Sequence, residues 1–391
     1  MEGDFIKSND WLLPLSWIYG AGVRLRNQMF EMGMLKSRSF DIPVISVGNI
    51  TVGGSGKTPH VEYLINLLRD KVKVAVLSRG YKRKSKGYML ATADTPMSDI
   101  GDEPYQMKKK FADIYVAVDK DRCHGIDQLT ANEETSDTDV ILLDDAYQHR
   151  YVKAGVNILL VDYHRLIMYD KLLPAGRLRE PQKGKARADI VIVSKCPAEL
   201  KPMEFRVITK AMNLFPYQKL YFTTLKYGSL RPIYGGEDRK LDTLTGDTSI
   251  LLLTGIASPQ QMIVDLKPYT ERITPLTFPD HHQYTDADID RINAEFEAMK
   301  GNDKMIVTTE KDNARLCGME GLSDEVKKNI YVLPVEVGFM LDQEEDFNEN
   351  IIGYVRKNSR NSILAKAKDD NKSDNSDNSG NRTRTISFRN N

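Results

Sequence analysis

Residues 42–58 read IPVISVGNITVGGSGKT, an apolar run followed by a glycine cluster that closes on Gly56-Lys57-Thr58. Ile42 to Val47 is rich in β-branched residues, the composition of a strand buried in a parallel sheet. Gly53, Gly54 and Gly56 free the backbone to curl, so that successive N–H groups can converge on phosphate oxygens. Thr51, Val52 and Ser55 complete the loop. Lys57 is placed to reach the β- and γ-phosphates of a bound nucleotide, and the Thr58 hydroxyl to ligate Mg²⁺. A helix starting near Pro59 adds the positive end of its dipole, and proline suits a first helical turn because its missing N–H has no partner there. The general pattern opens with glycine, where this chain has Thr51. A nucleoside triphosphate is the expected ligand.

The chain has 391 residues, which favours two domains over one. Its 55 basic and 55 acidic residues balance, so bulk charge gives no argument for nucleic acid. Cys123, Cys196 and Cys317 are scattered, with no metal-type spacing, and read as reduced thiols of a cytoplasmic protein. Residues Trp11 to Val23 (WLLPLSWIYGAGV) are strongly apolar and run into Arg24 and Arg26. This stretch is shorter than the roughly 20 apolar residues that a bilayer span needs. It lacks the charge pattern and cleavage site of a secretory signal. Aromatic residues beside arginines fit a helix lying in the membrane interface.

Strand-like runs recur between helical stretches at Ile42–Val47, Val72–Ser78, Ile114–Val118, Val140–Leu143, Asn157–Val161 and Asp189–Val193. This alternation predicts an α/β fold, a mostly parallel sheet with helices on both faces. Leu220–Tyr227 and Leu230–Tyr234 flank Gly228-Ser229 as a hairpin or paired linker. Ile250–Thr254 and Lys304–Thr308 then suggest a second, smaller α/β domain. The expected organisation is an interface helix over 1–30, a P-loop kinase domain of three α/β/α layers over 31–218, a two-stranded linker over 219–244 and the smaller domain over 245–357. The 358–391 tail, rich in Lys, Asp, Asn and Ser, is expected to be disordered.

Further residues carry chemistry. Val140-Ile141-Leu142-Leu143-Asp144-Asp145 is a strand ending in two carboxylates, and an acid at that place commonly holds Mg²⁺ in phosphate-loop enzymes. Asp102, in Gly101-Asp102-Glu103-Pro104, either caps a helix or serves as the base that a kinase needs beside the acceptor hydroxyl. Phe278-Pro279-Asp280-His281-His282 offers an imidazole with an adjacent carboxylate. Arg79, in Ser78-Arg79-Gly80-Tyr81, and Arg179, in Leu178-Arg179-Glu180-Pro181, are well placed to meet phosphate or else pair at the surface.

SVGNITVGGSGKTP, LSRGYKRKSKG, GDEP, LLDDAYQHR, GRLREP, SKCP, LLTGIASP, FPDHHQYT and TTEKDNARL occur in this order. The ordered set resembles the tetraacyldisaccharide 4'-kinase family, the lipid A 4'-kinases, from about residue 11 to 355. The resemblance implies ATP- and Mg²⁺-dependent phosphorylation of the 4'-hydroxyl of a tetraacylated glucosamine disaccharide 1-phosphate, giving lipid IVA. The reaction belongs to lipopolysaccharide synthesis at the cytoplasmic face of the inner membrane. It implies two α/β domains joined by a two-stranded linker, with the active site in the cleft between them. Asp102 matches the family's base and His281 its partner. Asp144 and Asp145 match the Mg²⁺-associated pair, and Arg179 and Glu180 match an Arg-Glu pair of the cleft. Arg79 and His149 join these as acceptor-binding residues. Family members usually have Gly-Phe after the paired aspartates, where this chain has Ala146-Tyr147. A pKa raised by like-charged neighbours is expected for Asp102, and a monomer is expected.

Two other classes compete with this reading. A regulatory GTPase would present Asn-Lys-x-Asp after a late strand, but this chain has Ser194-Lys195-Cys196-Pro197 and no Asp for guanine. A membrane-associated P-loop ATPase would turn ATP over on lipid alone. A kinase needs an acylated sugar.

Overall fold

The computed structural model describes residues 9–256, 259–316 and 319–359, so Cys317 and nearly all of the 358–391 tail lie outside the described residues. The large sheet has nine strands in the order β14-β8-β7-β6-β1-β5-β2-β4-β3. In chain order these are β1 (Val44–Gly48), β2 (Val74–Ser78), β3 (Met89–Leu90), β4 (Tyr115–Val118), β5 (Val140–Asp144), β6 (Val156–Asp162), β7 (Ile190–Ser194), β8 (Lys219–Tyr227) and, much later, β14 (Val335–Phe339). The strands from β8 across to β4 run parallel, and only the edges β14 and β3 are antiparallel. Every residue of β1, β2, β5 and β7 is buried, as helices on both faces require.

The second sheet has five strands in the order β11-β10-β12-β13-β9. They are β9 (Arg231–Pro232), β10 (Ser249–Thr254), β11 (Ile273–Thr277), β12 (Lys304–Thr309) and β13 (Ile330–Leu333). It has its own cores, around Leu251, Phe296 and Ile306 on one side and Ile250, Leu252 and Val307 on the other.

The connection between the sheets differs from the expected hairpin. The segments flanking Gly228-Ser229 do not pair with each other. β8 pairs with β14, Thr224 opposite Gly338, whereas Arg231 and Pro232 join β13 in the second sheet. The chain leaves the large sheet along β8 and returns beside it along β14, so the two-stranded connection draws its second strand from 335–339. The Glu344–Asn358 helix then packs Phe347, Ile351 and Val355 into the large sheet's core, not into the smaller body where the sequence reading put it. The physical reason is that the β8 edge offers unpaired backbone groups, and a returning strand satisfies them.

β1 sits between β5 and β6, and Val47 pairs with Asp144. The loops after β1 and β5 therefore leave the same edge side by side, at the point where strand order reverses and α/β sheets bind ligands. Gly48 permits this approach, since a Cβ there would lie 2.7 Å from the Tyr147 Cβ and 2.8 Å from its N.

Candidate active site

The loop after β1 is shaped by glycines at two points. Gly53 has φ +113° and Gly56 φ +76°, and Gly56 leads into the Lys57–Leu68 helix. Thr51, in the place where glycine is usual, forms an extended bridge with Leu178, backed by Val52 N–H to Arg177 O at 2.8 Å and Arg179 N–H to Ile50 O at 2.8 Å. An extended residue needs no positive φ, which explains why threonine suffices there.

The loop carbonyls are held outward. Ser194 donates to Ser55 O at 2.9 Å, Lys195 Nζ donates to Gly54 O, and His60 Nδ1–H donates to Gly56 O at 2.7 Å. Among the described residues, no backbone carbonyl outside regular elements accepts from the N–H groups of Gly53 to Gly56. Those donors remain for an anion. Burial, aided by Lys195, lowers the His60 pKa to about 4, so it stays neutral and its Nε2 accepts from Thr223 at 3.0 Å.

Asp144 and Asp145 stand opposite this loop. Asp144 is buried and accepts from Ser78 Oγ at 3.2 Å, and Arg122 donates to its carbonyl at 3.2 Å. Burial, then Glu103 and Asp145, push its pKa up to about 6 against the pull of Lys57. Asp145 takes φ +47°, rare without glycine, and lies 3.6 Å from Lys57 Nζ and 3.8 Å from Arg179 Nη1. The Asp144 and Asp145 carboxylates are hard oxygen donors of the kind that suits Mg²⁺.

Asp102 begins the Asp102–Lys110 helix, but its side chain makes no capping bond. It reaches toward the second sheet instead. His281 Nδ1–H donates to its Oδ2 at 3.1 Å, and Arg315 donates to the same oxygen from Nε at 2.9 Å and Nη2 at 2.6 Å. Burial alone would raise this carboxyl's pKa. The His281 hydrogen bond and the Arg315 charge override burial and hold it at about 2. The expected rise is therefore corrected, because the neighbours that count are cationic. His281, at φ +60°, lies 5.0 Å from the Tyr81 ring with the ring planes tilted 59° apart. His282 is turned away to Asp288 at 2.9 Å.

The remaining predicted residues form an arginine-rich wall. Burial, then Arg122, lowers His149 to a pKa of about 4. Arg79 is exposed beside it. Arg179 donates to Gln148 Oε1 at 3.4 Å. Glu180 is only 2% exposed and is gripped by Arg187 at 2.9 Å and Asn27 at 3.5 Å, so it braces the wall and does not face the cleft. Asp121, Cys123 and His149 have ligand atoms within 4.8 Å of one another. The cationic field of Arg122, Arg26 and Arg79 on His149 makes this corner better suited to an anion than to a metal ion. Between the loop and the second sheet lies a cleft of about 260 Å³ with an apolar wall that includes Leu225, Tyr227, Ile256, Met262 and Val335.

Sequence reading missed Arg315, Lys311, Lys195 and Tyr19, whose hydroxyl donates to Arg179 O at 2.8 Å. Arg315 and Lys311 lie in the TTEKDNARL stretch, so the motif was visible, but their cross-sheet contacts were not.

The Leu13–Glu31 helix docks with small residues inward. Ser16 donates to Leu172 O at 3.0 Å, and a Cβ on Gly20 would sit 2.7 Å from Leu172 Cδ1. Its large apolar groups face out, with Trp17 71% and Ile18 72% exposed, and Trp11 in the 3-10 turn just before it is 78% exposed. Among the described residues, no helix is long and apolar enough to cross a membrane.

A profile of the tetraacyldisaccharide-1-P 4'-kinase family matches residues 8–356. The chain is 60% identical over 363 residues to the tetraacyldisaccharide 4'-kinase of Phocaeicola vulgatus, covering 93% of this chain and 99% of that one. It is 54% identical over 377 residues to the enzyme of that name from Bacteroides fragilis, covering 95% of this chain and all (100%) of the relative. Its fold is similar to the crystal structure of LpxK from Aquifex aeolicus in complex with ATP, with a TM-score of 0.66, 31% identity, and 88% of this chain and 98% of that chain covered. On sequence and fold together, the chain belongs to the tetraacyldisaccharide-1-P 4'-kinase family.

Proposed function

We propose that this protein is an ATP-dependent kinase that phosphorylates the 4'-hydroxyl of a tetraacyldisaccharide 1-phosphate, a lipid A precursor. The family assignment carries the activity, and the meeting of Asp102 with His281 at the cleft is the observation that supports the chemistry. The loop amides and Lys57 hold the triphosphate. Thr58, Asp144 and Asp145 would hold Mg²⁺, which when bound would offset the negative charge of the triphosphate. The acceptor's O–H bond breaks as its oxygen bonds to the γ-phosphorus. The proton passes to Asp102, and the electron pair of the cleaved P–O bond leaves with ADP. A carboxylate of low pKa is adequate for this role. In a loose phosphoryl-transfer transition state the hydroxyl loses its proton late, so orientation counts for more than basicity.

The acceptor's own phosphate is matched by the wall of Arg79, Arg179 and neutral His149, where arginine forks suit phosphate. The outward tryptophans Trp11 and Trp17, just before and within the Leu13–Glu31 helix, lie in the membrane interface and keep the enzyme on the surface that holds an acylated substrate. Closure of the two bodies about β8 and β14 excludes water and limits idle hydrolysis. Asp102→Ala tests the assignment. The catalytic rate should fall by roughly 10²–10⁴-fold with ATP affinity unchanged. A change confined to the Michaelis constant would make Asp102 a binding residue.

A further inference from the structure

The contact between the two bodies at Asp102 is made by two helices, Asp102–Lys110 and Glu310–Leu316. Lys110 bridges Glu62 at 2.6 Å and Glu310 at 2.8 Å, and Lys311 reaches Glu103 at 2.9 Å. At their centre the Arg315 side chain is fully buried. One edge of its guanidinium is fixed by Asp312 Oδ1 and Gly255 O, each at 2.9 Å. The other edge sends two N–H groups to a single oxygen of Asp102, the oxygen that His281 also uses. All three bonds converge on Oδ2, and none of them uses Oδ1.

We propose that Arg315 is a positioning residue for phosphoryl transfer. It locks Asp102 Oδ2 so that Oδ1 is the oxygen presented to the acceptor hydroxyl, and it does so only while the two helices are docked. A base assembled across the cleft is complete when the cleft is closed, which ties proton acceptance to the exclusion of water. A surface ion pair would not serve, because it would leave the carboxylate free to rotate. This one is dry and is held from both ends. The charged groups facing Asp102 are His281 and Asp280 from the segment after β11, Lys311, Asp312 and Arg315 from the second body's helix, and Glu103 on its own helix. Arg315 is the only one of these that contributes two donors to the carboxylate.

The inference rests on Asp102 as proton acceptor, and the experiment separates the two claims. Arg315→Gln and Arg315→Lys are assayed with a tetraacyldisaccharide 1-phosphate from about pH 4.5 to 8 under saturating Mg²⁺ and ATP. Denaturant midpoints and ATP binding are measured alongside. Arg315→Gln should lose roughly 10- to 100-fold in kcat, with both KM values within about twofold. It should also gain an acid limb that the wild type lacks, since burial is then poorly offset. Arg315→Lys keeps the charge without the fork, so its limb should stay put while kcat falls by roughly threefold to tenfold. That comparison still decides the matter should Arg315→Gln fail to fold. Unchanged kcat and limb in Arg315→Gln, a limb in Arg315→Lys shifted like that of Arg315→Gln, or a loss confined to ATP binding would overturn the proposal. Inactivity of the wild type toward this acceptor would overturn the functional reading instead.

Discussion

Val47 and Asp144 are in register at the adjoining ends of β1 and β5. That pairing brings the phosphate-binding loop and the paired carboxylates, nearly a hundred positions apart in the chain, to one edge of the sheet. Lys57 and Asp145 follow from it as a cation and an anion 3.6 Å apart where the two loops meet. Three predictions rest on this arrangement and a fourth on the N-terminal helix.

Lys57→Ala should abolish transfer, lowering kcat by at least about 10²-fold, while leaving the fold in place. Its ion pair with Asp145 is long at 3.6 Å and partly solvated, so stability should change by no more than about 1 kcal/mol. Steady-state assays and urea unfolding of the same preparation check both halves. Near-normal turnover would remove the loop from the chemistry.

Mg²⁺ affinity should depend on pH through Asp144. Burial and the carboxylates beside it raise this group's pKa to about 6. Below that value a proton must leave before the ion can bind, and affinity should weaken by about tenfold per pH unit. The sign is opposite for the metal-free protein. A carboxyl raised above its unfolded value destabilises the fold when ionised, so stability without Mg²⁺ should rise as pH falls from about 7 toward 5. Calorimetric Mg²⁺ titrations at several pH values measure the first effect, and thermal unfolding with chelator measures the second. Asp144→Asn should flatten both.

Gly48→Ala should destabilise the protein by about 1–3 kcal/mol, as overpacking does. The added methyl meets the Tyr147 Cβ at 2.7 Å and a backbone N at 2.8 Å, and the strands cannot part without breaking their ladder. Gly54→Ala is the control, because nothing lies within 4 Å of its would-be Cβ. Equal unfolding midpoints for the two variants would contradict the packing argument.

Trp11→Ser with Trp17→Ser should weaken co-sedimentation with anionic vesicles by at least about tenfold, since each indole contributes 150–250 Å² of area to an interface. Both rings are more than two-thirds exposed, so soluble stability should scarcely move. Undiminished pelleting would place the membrane contact elsewhere.

Much of this was legible in the sequence because buried parallel strands are written as unbroken β-branched runs. Each of the ten runs, from Ile42–Val47 to Lys304–Thr308, became a strand within two residues of its expected ends. The strands β3, β11, β13 and the returning β14, and the pairing of the Leu230–Tyr234 segment with β13, were not legible. Two-residue bridges carry no periodicity, and the partner of β14 is set by where the chain happens to return. The site divides the same way. Local chemistry marked Lys57, Thr58, Asp144 and Asp145, because each lies in a contiguous motif. The charge state of Asp102 was misread because the group that sets it, Arg315, is 213 residues away. The orientation of Glu180 likewise follows from Arg187 and Asn27, which no spacing rule connects to it.

The central claim is tested most directly by incubating the full chain with ATP labelled in its γ-phosphate, Mg²⁺ and a tetraacyldisaccharide 1-phosphate in mixed micelles, then separating the lipid. Label should appear on the disaccharide's 4' position in step with ADP release, and should vanish with Lys57→Ala and with Asp102→Ala. ADP release with an unlabelled lipid would contradict the account and leave a membrane-associated ATPase in its place.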